Sequence, residues 1–249
     1  MTEAPTLAAI LESFGPVDIV PLSRIQAVTA RVMAHNWSTI PHVTHMDVID
    51  VTALERTRKA WNATSGEKLT PTSYFVRAVA SVLGRLPQFN RSIDIAEKTL
   101  IQRRYVNIGL AVDTPAGLTV PVIHNCAGKT VVDIAQDSAR LAQKARSKGL
   151  SLAEMSGGCF TVSALGPQGG TGFTPIVNAP EVAILGLSRL VEQPVRGEGD
   201  AILWRSVIPV SLSYDHRAIN GADAGRFMAA LQEEMSALAV DGGANGQSI

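Results

Sequence analysis

Apolar positions recur at helical spacing in five stretches of the chain and alternate, or run on unbroken, in the shorter stretches between them. The first helix is predicted from near Ser23, an N-cap type, with Ile25, Val28, Val32 and Met33 on one side, and Pro41 closes the segment after it. VTHMDVIDV, residues 43–51, is rich in β-branched residues and reads as a strand. Thr52 followed by Glu55 has the form of a capping box for a helix reaching about Trp61. Thr70 and Pro71 open the next helix, which carries Phe75, Val79, Val82 and Leu83 inward and stops at Pro87.

The rhythm then turns extended. SIDIAEKTLIQ precedes YVNIGLAVDTPAGLTVPVI, in which two β-rich runs flank the turn residues 113–117, a hairpin or meander. Thr130 caps a helix with Ile134, Leu141, Ala142 and Ala145 on one face and Gly149 as its stop. CFTVS, VAILGLSRLV and AILWRSVIPVSLSY read as strands around a Gly-rich loop. A last helix from about Ala222 to Leu238 stacks Phe227, Leu231, Met235 and Leu238. Residues 1–19 hold one small apolar cluster, Leu7, Ile10, Leu11 and Phe14, too little for a domain of at least about 50 residues, and are expected to form an arm packed on another surface. Residues 20–238 form the single domain and 239–249 a polar, flexible tail. Helices and strands mix without a strict βαβα order, so the expected fold is α/β with a mixed β-sheet flanked by helices.

Lys plus Arg and Asp plus Glu balance at 22 each, so no net field favours nucleic acid or an anionic membrane surface. No apolar run approaches the ~18 residues of a membrane span, and the N-terminus lacks the basic start and apolar core of a signal peptide. Cys126 and Cys159 lie in apolar or Gly-rich stretches without metal spacing, which points to a reducing, cytoplasmic setting.

His42 and His45, three apart on a strand, project to opposite faces and do not share a metal. His216 instead stands just after a long strand and just before a helix, in SLSYDHRAINGADAGRF, where rigid elements hold a side chain at a cleft. It reads either as a base or as a neighbour of a well-capped turn, with Asp215 and Arg217 as surface charges and Asn220 and Asp223 capping the last helix. Ser163, Asp215 and His216 follow the chain order of an α/β-hydrolase triad. FTVSALG is no Gly-x-Ser-x-Gly elbow, however, and adjacent strand residues point apart. GPQGGTG lacks both dinucleotide and P-loop spacing.

PLSRIQAVTARVMAHNWSTIPHVTHMDVIDVTALE, VNIGLAVDTPAGLTVPVI, GGCFTVSALG, FTPIVNAPEVAILGLSRL and SLSYDHRAINGADAGRF together resemble the catalytic domain of the dihydrolipoamide acyltransferases of 2-oxoacid dehydrogenase complexes. The likeness is nearest to the acetyltransferases of pyruvate dehydrogenase complexes. It implies a chloramphenicol acetyltransferase-like fold, a homotrimer with interfacial active sites, coenzyme A as substrate and no metal. It further implies His216 as the base that deprotonates a thiol and Ser163, from a neighbouring subunit, as oxyanion donor. Asn220 becomes the orienting residue, where most of the family has Asp. Thr161, Thr171 and Phe173 are candidates for the channel that takes coenzyme A. With no lipoylation site in the chain, the lipoyl group is expected in trans, on a lipoyl-bearing domain working with 2-oxoacid dehydrogenase components. The tail carries only Ile249 as an apolar anchor, so a trimer is expected rather than a larger shell. Two alternatives remain: a stand-alone acyltransferase with another acceptor, and a scaffold paralogue with weak activity.

Overall fold

A computed structural model describes residues 5–166 and 169–240. Its elements in chain order are α1 (Leu7–Glu12), α2 (Arg24–Thr39), β1 (His42–Asp50), α3 (Thr52–Thr64), α4 (Pro71–Arg85), β2 (Arg91–Asp94) and β3 (Thr99–Gln102). After these come β4 (Ile108–Leu110), β5 (Val112–Thr114), β6 (Gly117–Thr119), β7 (Val122–Ile123), α5 (Val131–Ser147), β8 (Phe160–Ala164), β9 (Ala183–Leu187), β10 (Val191–Arg196), β11 (Ile202–Asp215) and α6 (Gly221–Val240).

Helix starts follow local chemistry. Ser23 with Gln26, Thr70 with Ser73 and Thr130 with Asp133 each form a reciprocal capping box, satisfying amides that the first turn leaves open. The box expected at Thr52 does not form. Thr52 is the first helical residue, and its Oγ1 accepts the Ser206 amide at 3.0 Å while Glu55 pairs with Arg58 at 2.7 Å. A partner 154 positions away outcompetes the local one.

The main sheet runs β1-β11-β9-β8-β4-β7, with β10 beside the first half of β11. β8 is parallel to both β4 and β9 and the remaining pairs are antiparallel, which makes the sheet mixed. Alternation along each strand sends one set of side chains to a continuous core. Phe160 and Val162 of β8, Leu185 and Leu187 of β9, and Val210, Leu212 and Tyr214 of β11 belong to it. Against them packs α4, buried on nearly all sides, with α5 and α6 beside it. Phe227 of α6 lies 4.7 Å from the Phe89 ring and 5.6 Å from that of Phe160, tying helix to sheet.

The other sheet face is small and polar: Thr161 and Ser163 of β8, Gly186 of β9, Ser211 and Ser213 of β11, and Thr44 of β1, whose Oγ1 lies 2.8 Å from Ser213 Oγ. Segment 169–181 and the end of α2 cover part of it. Ile40, Val177 and Ile184 form a second small core there, and Asn36 Nδ2 donates to the Val177 carbonyl at 3.1 Å. Residues 5–22 have no buried position, and Leu7, Phe14, Ile19 and Val20 stand open to solvent. Residues 241–249, most of the expected tail, lie outside the described chain. No helix among the described residues is long and apolar enough to cross a membrane.

Candidate active site

β11 carries the chain to His216. Asp215, the last residue of that strand, is buried at 1% exposure, so the surface-charge reading fails for it. Arg217 clamps its carboxylate. Oδ1 accepts the Arg217 amide at 3.0 Å and Nε at 2.9 Å, and Oδ2 accepts Nη2 at 2.6 Å. This bidentate pair folds the chain back immediately after the strand and leaves His216 exposed at the apex. The His216 amide donates to the Pro41 carbonyl at 3.1 Å, which fixes the apex from the β1 side. Its ring lies 5.9 Å from that of Tyr214, and among the described residues its nitrogens have no hydrogen-bond partner. Asn220 caps α6: its Oδ1 accepts the Asp223 amide at 2.9 Å, while its own amide reaches Asp223 Oδ2 at 3.5 Å. The capping reading and a site role are therefore compatible, because Nδ2 stays free of partners among the described residues.

Ser163 projects from β8 on the polar face, half-buried and opposite Gly186. Phe173 lies over that glycine, where a Cβ would meet its Cζ at 2.7 Å, so the absence of a side chain at 186 seats the ring beside Ser163. Thr171 is exposed on the same loop. Thr161 departs from the channel-wall expectation. It is 1% exposed, and its hydroxyl donates to Glu181 Oε2 at 2.7 Å, so it backs the strand and faces no open space.

Glu181 itself escapes sequence reading, although an acidic residue opening the apolar run Val182–Leu187 was a signal. Burial holds its carboxyl up, to about 8, against the downward pull of the Thr161 hydrogen bond and the Arg103 charge. The thiols are inert for a related reason: burial pushes Cys126 up to about 12 and Cys159 up to about 11. His42 is a strut. Its Nε2 accepts the Val177 amide at 3.0 Å, so Nδ1 carries the proton to the Ile40 carbonyl at 2.9 Å. Among the described residues no group of three His, Cys, Asp or Glu side chains is placed to hold a metal ion.

His216 and Ser163 do not meet within one chain. Ser163 aligns with Gly186 and Gly186 with Ser211, two strands across the sheet, and His216 lies five residues further along β11. At ~4.8 Å per strand and ~3.3 Å per residue the two positions stand about 19 Å apart.

A mixed sheet flanked by helices, ending in an exposed histidine, defines a class. The solved structure of a chloramphenicol acetyltransferase shares the fold at TM-score 0.53 and 16% identity, covering 82% of this chain and 94% of that one. Sequence comparison is more specific: the family model of the 2-oxoacid dehydrogenases acyltransferase (catalytic domain) matches residues 15–239, and the chain belongs to that family. It is 49% identical, over 223 residues, to the dihydrolipoyllysine-residue acetyltransferase component of the pyruvate dehydrogenase complex of Pseudomonas aeruginosa, covering 88% of this chain and 41% of the relative. The counterpart in Azotobacter vinelandii is 48% identical over 86% of this chain and 34% of its own length. The chain thus spans less than half the length of these curated relatives. A solved structure of the Azotobacter vinelandii dihydrolipoamide acetyltransferase, from a study of the catalytic role of one serine, one histidine and one asparagine, superposes at TM-score 0.89 with 44% identity, covering 96% of this chain and 99% of that one. A cubic core of a pyruvate dehydrogenase multienzyme complex superposes equally, at 0.89.

Proposed function

We propose that this chain transfers an acetyl group between coenzyme A and dihydrolipoamide, at sites formed between the subunits of a homotrimer. The observation that carries the reading is the pair of half-sites: an open imidazole on a buried clamp and an open hydroxyl about 19 Å away, which a second copy would bring together. The Azotobacter vinelandii enzyme supports it. There the histidine and asparagine under study stand 4 positions apart and the serine 52 before the histidine; His216 and Asn220 are likewise 4 apart, with Ser163 standing 53 before His216. Asparagine is thus a family solution at this position, and no carboxylate is required of Asn220. The bare apolar side chains of Leu7, Phe14, Ile19 and Val20 favour association, since exposed apolar surface of this extent is a contact surface.

In the forward step His216 takes the proton of the acceptor thiol, which at a pKa near 8.5 is a poor nucleophile unaided. The thiolate adds to the thioester carbonyl, and the resulting oxyanion accepts a hydrogen bond from the neighbour's Ser163. Collapse re-forms the carbonyl and expels the second thiolate, which recovers the proton from His216. Asn220 holds the start of α6 and orients the turn behind the histidine. Phe173 and Thr171 line the approach of coenzyme A, and the dihydrolipoyl group arrives in trans on a lipoyl-bearing domain of a 2-oxoacid dehydrogenase system. In this scheme residues 20–238 are the catalytic domain and 1–19 an arm, and the two buried, reduced cysteines suit a cytoplasmic setting. Acetyl-coenzyme A and free dihydrolipoamide, mixed with the purified protein and followed by chromatographic separation of free coenzyme A and S-acetyldihydrolipoamide, test the reading. His216→Ala should lower kcat by about 10²-fold or more, and a wild-type protein without turnover defeats it.

A further inference from the structure

Thr161 and Glu181 form a buried pair beside Ser163, two residues earlier on the same face of β8, and two glycines make room for it. A Cβ at Gly109 would lie 2.9 Å from Thr161 Oγ1, and one at Gly158 would lie 2.9 Å from Glu181 Oε1. A side chain at either position would force its neighbour to shift, so these strand ends are fitted around one hydroxyl and one carboxyl. The GGCFTVS segment gains a physical meaning: Gly158 clears the carboxyl, Thr161 binds it, and Ser163, two residues on, projects on the same face. Glu181 also anchors segment 169–181, which lays Phe173 beside Ser163, because its amide closes a turn on the Asn178 carbonyl at 3.0 Å.

We infer that Glu181, acting through Thr161, is a positioning residue that sets the height and direction of Ser163 on β8. The inference rests on the acyltransferase reading above. Side chains facing the carboxyl are few: Thr161 from β8, Arg103 from the stretch after β3, and Cys159 just before β8, whose thiol stays neutral with its value near 11. Arg103 is already committed, donating to the carbonyls of Arg91 at 2.7 Å and Pro180 at 3.2 Å and to Ser92 Oγ at 2.5 Å. The carboxyl is therefore suited to its place when protonated, and a negative charge there has no bonded cation.

The test is kinetic. Glu181→Ala should lower kcat by about tenfold or more with KM changed less than about twofold, since a small misplacement of a reacting group weakens the transition state rather than substrate binding. Glu181→Gln, neutral at every pH and still able to accept from Thr161, should keep kcat within about threefold of wild type at pH 6.5. The ratio of wild-type to Glu181→Gln kcat should then fall through one ionisation near pH 8, and thiol titration cancels from that ratio. Gly158→Ala is the second variant: it crowds the carboxyl while leaving every polar group in place, and should reproduce the kcat loss. Superimposed wild-type and Glu181→Gln profiles, or an Ala variant within threefold of wild-type kcat, overturn the inference and leave the acyltransferase reading intact. Inactive wild type removes both.

Discussion

If each site takes His216 from one chain and Ser163 from the next, two damaged chains can repair one another. Ser163→Ala should lose about 10²- to 10³-fold in kcat as an oxyanion donor, and His216→Ala about 10²-fold or more as a base. Each protein alone should therefore show about 1% of wild-type turnover or less. Co-expression in equal amounts, with different affinity tags for isolating mixed oligomers, scrambles the chains. A site is intact when its histidine comes from the Ser163→Ala chain and its serine from the His216→Ala chain. Every mixed cyclic trimer, with two chains of one kind and one of the other, holds one such site in three, so about one third of sites should recover. The assay is the same chromatographic measurement of free coenzyme A and S-acetyldihydrolipoamide, on the mixed sample and on the two variants alone. Turnover that stays at the mean of the separate variants, about 1% or below, would refute an intersubunit site. It would also demand that the sheet bring two positions about 19 Å apart into contact within a chain, beyond the reach of a serine and a histidine side chain. Recovery near one third also measures the symmetry, because a mixed twofold dimer recovers about one site in two and a site closed within each chain recovers none.

Two other expectations follow from charge. Removing the Arg217 guanidinium strands the buried Asp215 carboxylate. Breaking a buried pair costs about 3–5 kcal/mol, but the Arg217 side chain is 33% exposed and solvent already screens it, so Arg217→Ala should cost about 2–3 kcal/mol in denaturant unfolding and lower kcat by freeing the apex at His216. Glu181 gives a pH dependence of stability. Its carboxyl titrates near 8 in the fold against 4.5 ordinarily, so between these values the folded state binds the extra proton. The stability it supports is whole below about pH 4.5, declines as pH rises, and is lost above about 8, a swing of up to ~5 kcal/mol at 1.36 kcal/mol per unit. Comparison of Tm against pH for wild type and Glu181→Gln reads it, and parallel curves would reject the assignment.

Much of this chain could be read locally. Ser23, Thr70, Pro71 and Thr130 marked helix starts because a cap bonds an amide three residues on, and a pattern of 3.6 or 2 residues reports which side of an element is wet. His216 stood out in the same way, as a polar residue at the end of a well-patterned strand, whereas Ser163 and Asn220 took on site roles only through the resemblance to the acyltransferase family. Distant partners decided the rest. Thr52 looked like a cap until Ser206 took its hydroxyl, Asp215 looked like a surface charge until β1 and β9 enclosed it, and Thr161 looked like a channel residue until Glu181 bound it. Gly109 and Gly158 have meaning only beside side chains that other strands bring to them. Periodicity and capping are energies between near neighbours, so they are written in the order of residues. Burial, clearance and the 19 Å gap arise from strands paired across tens to more than a hundred residues, and folding alone sets them.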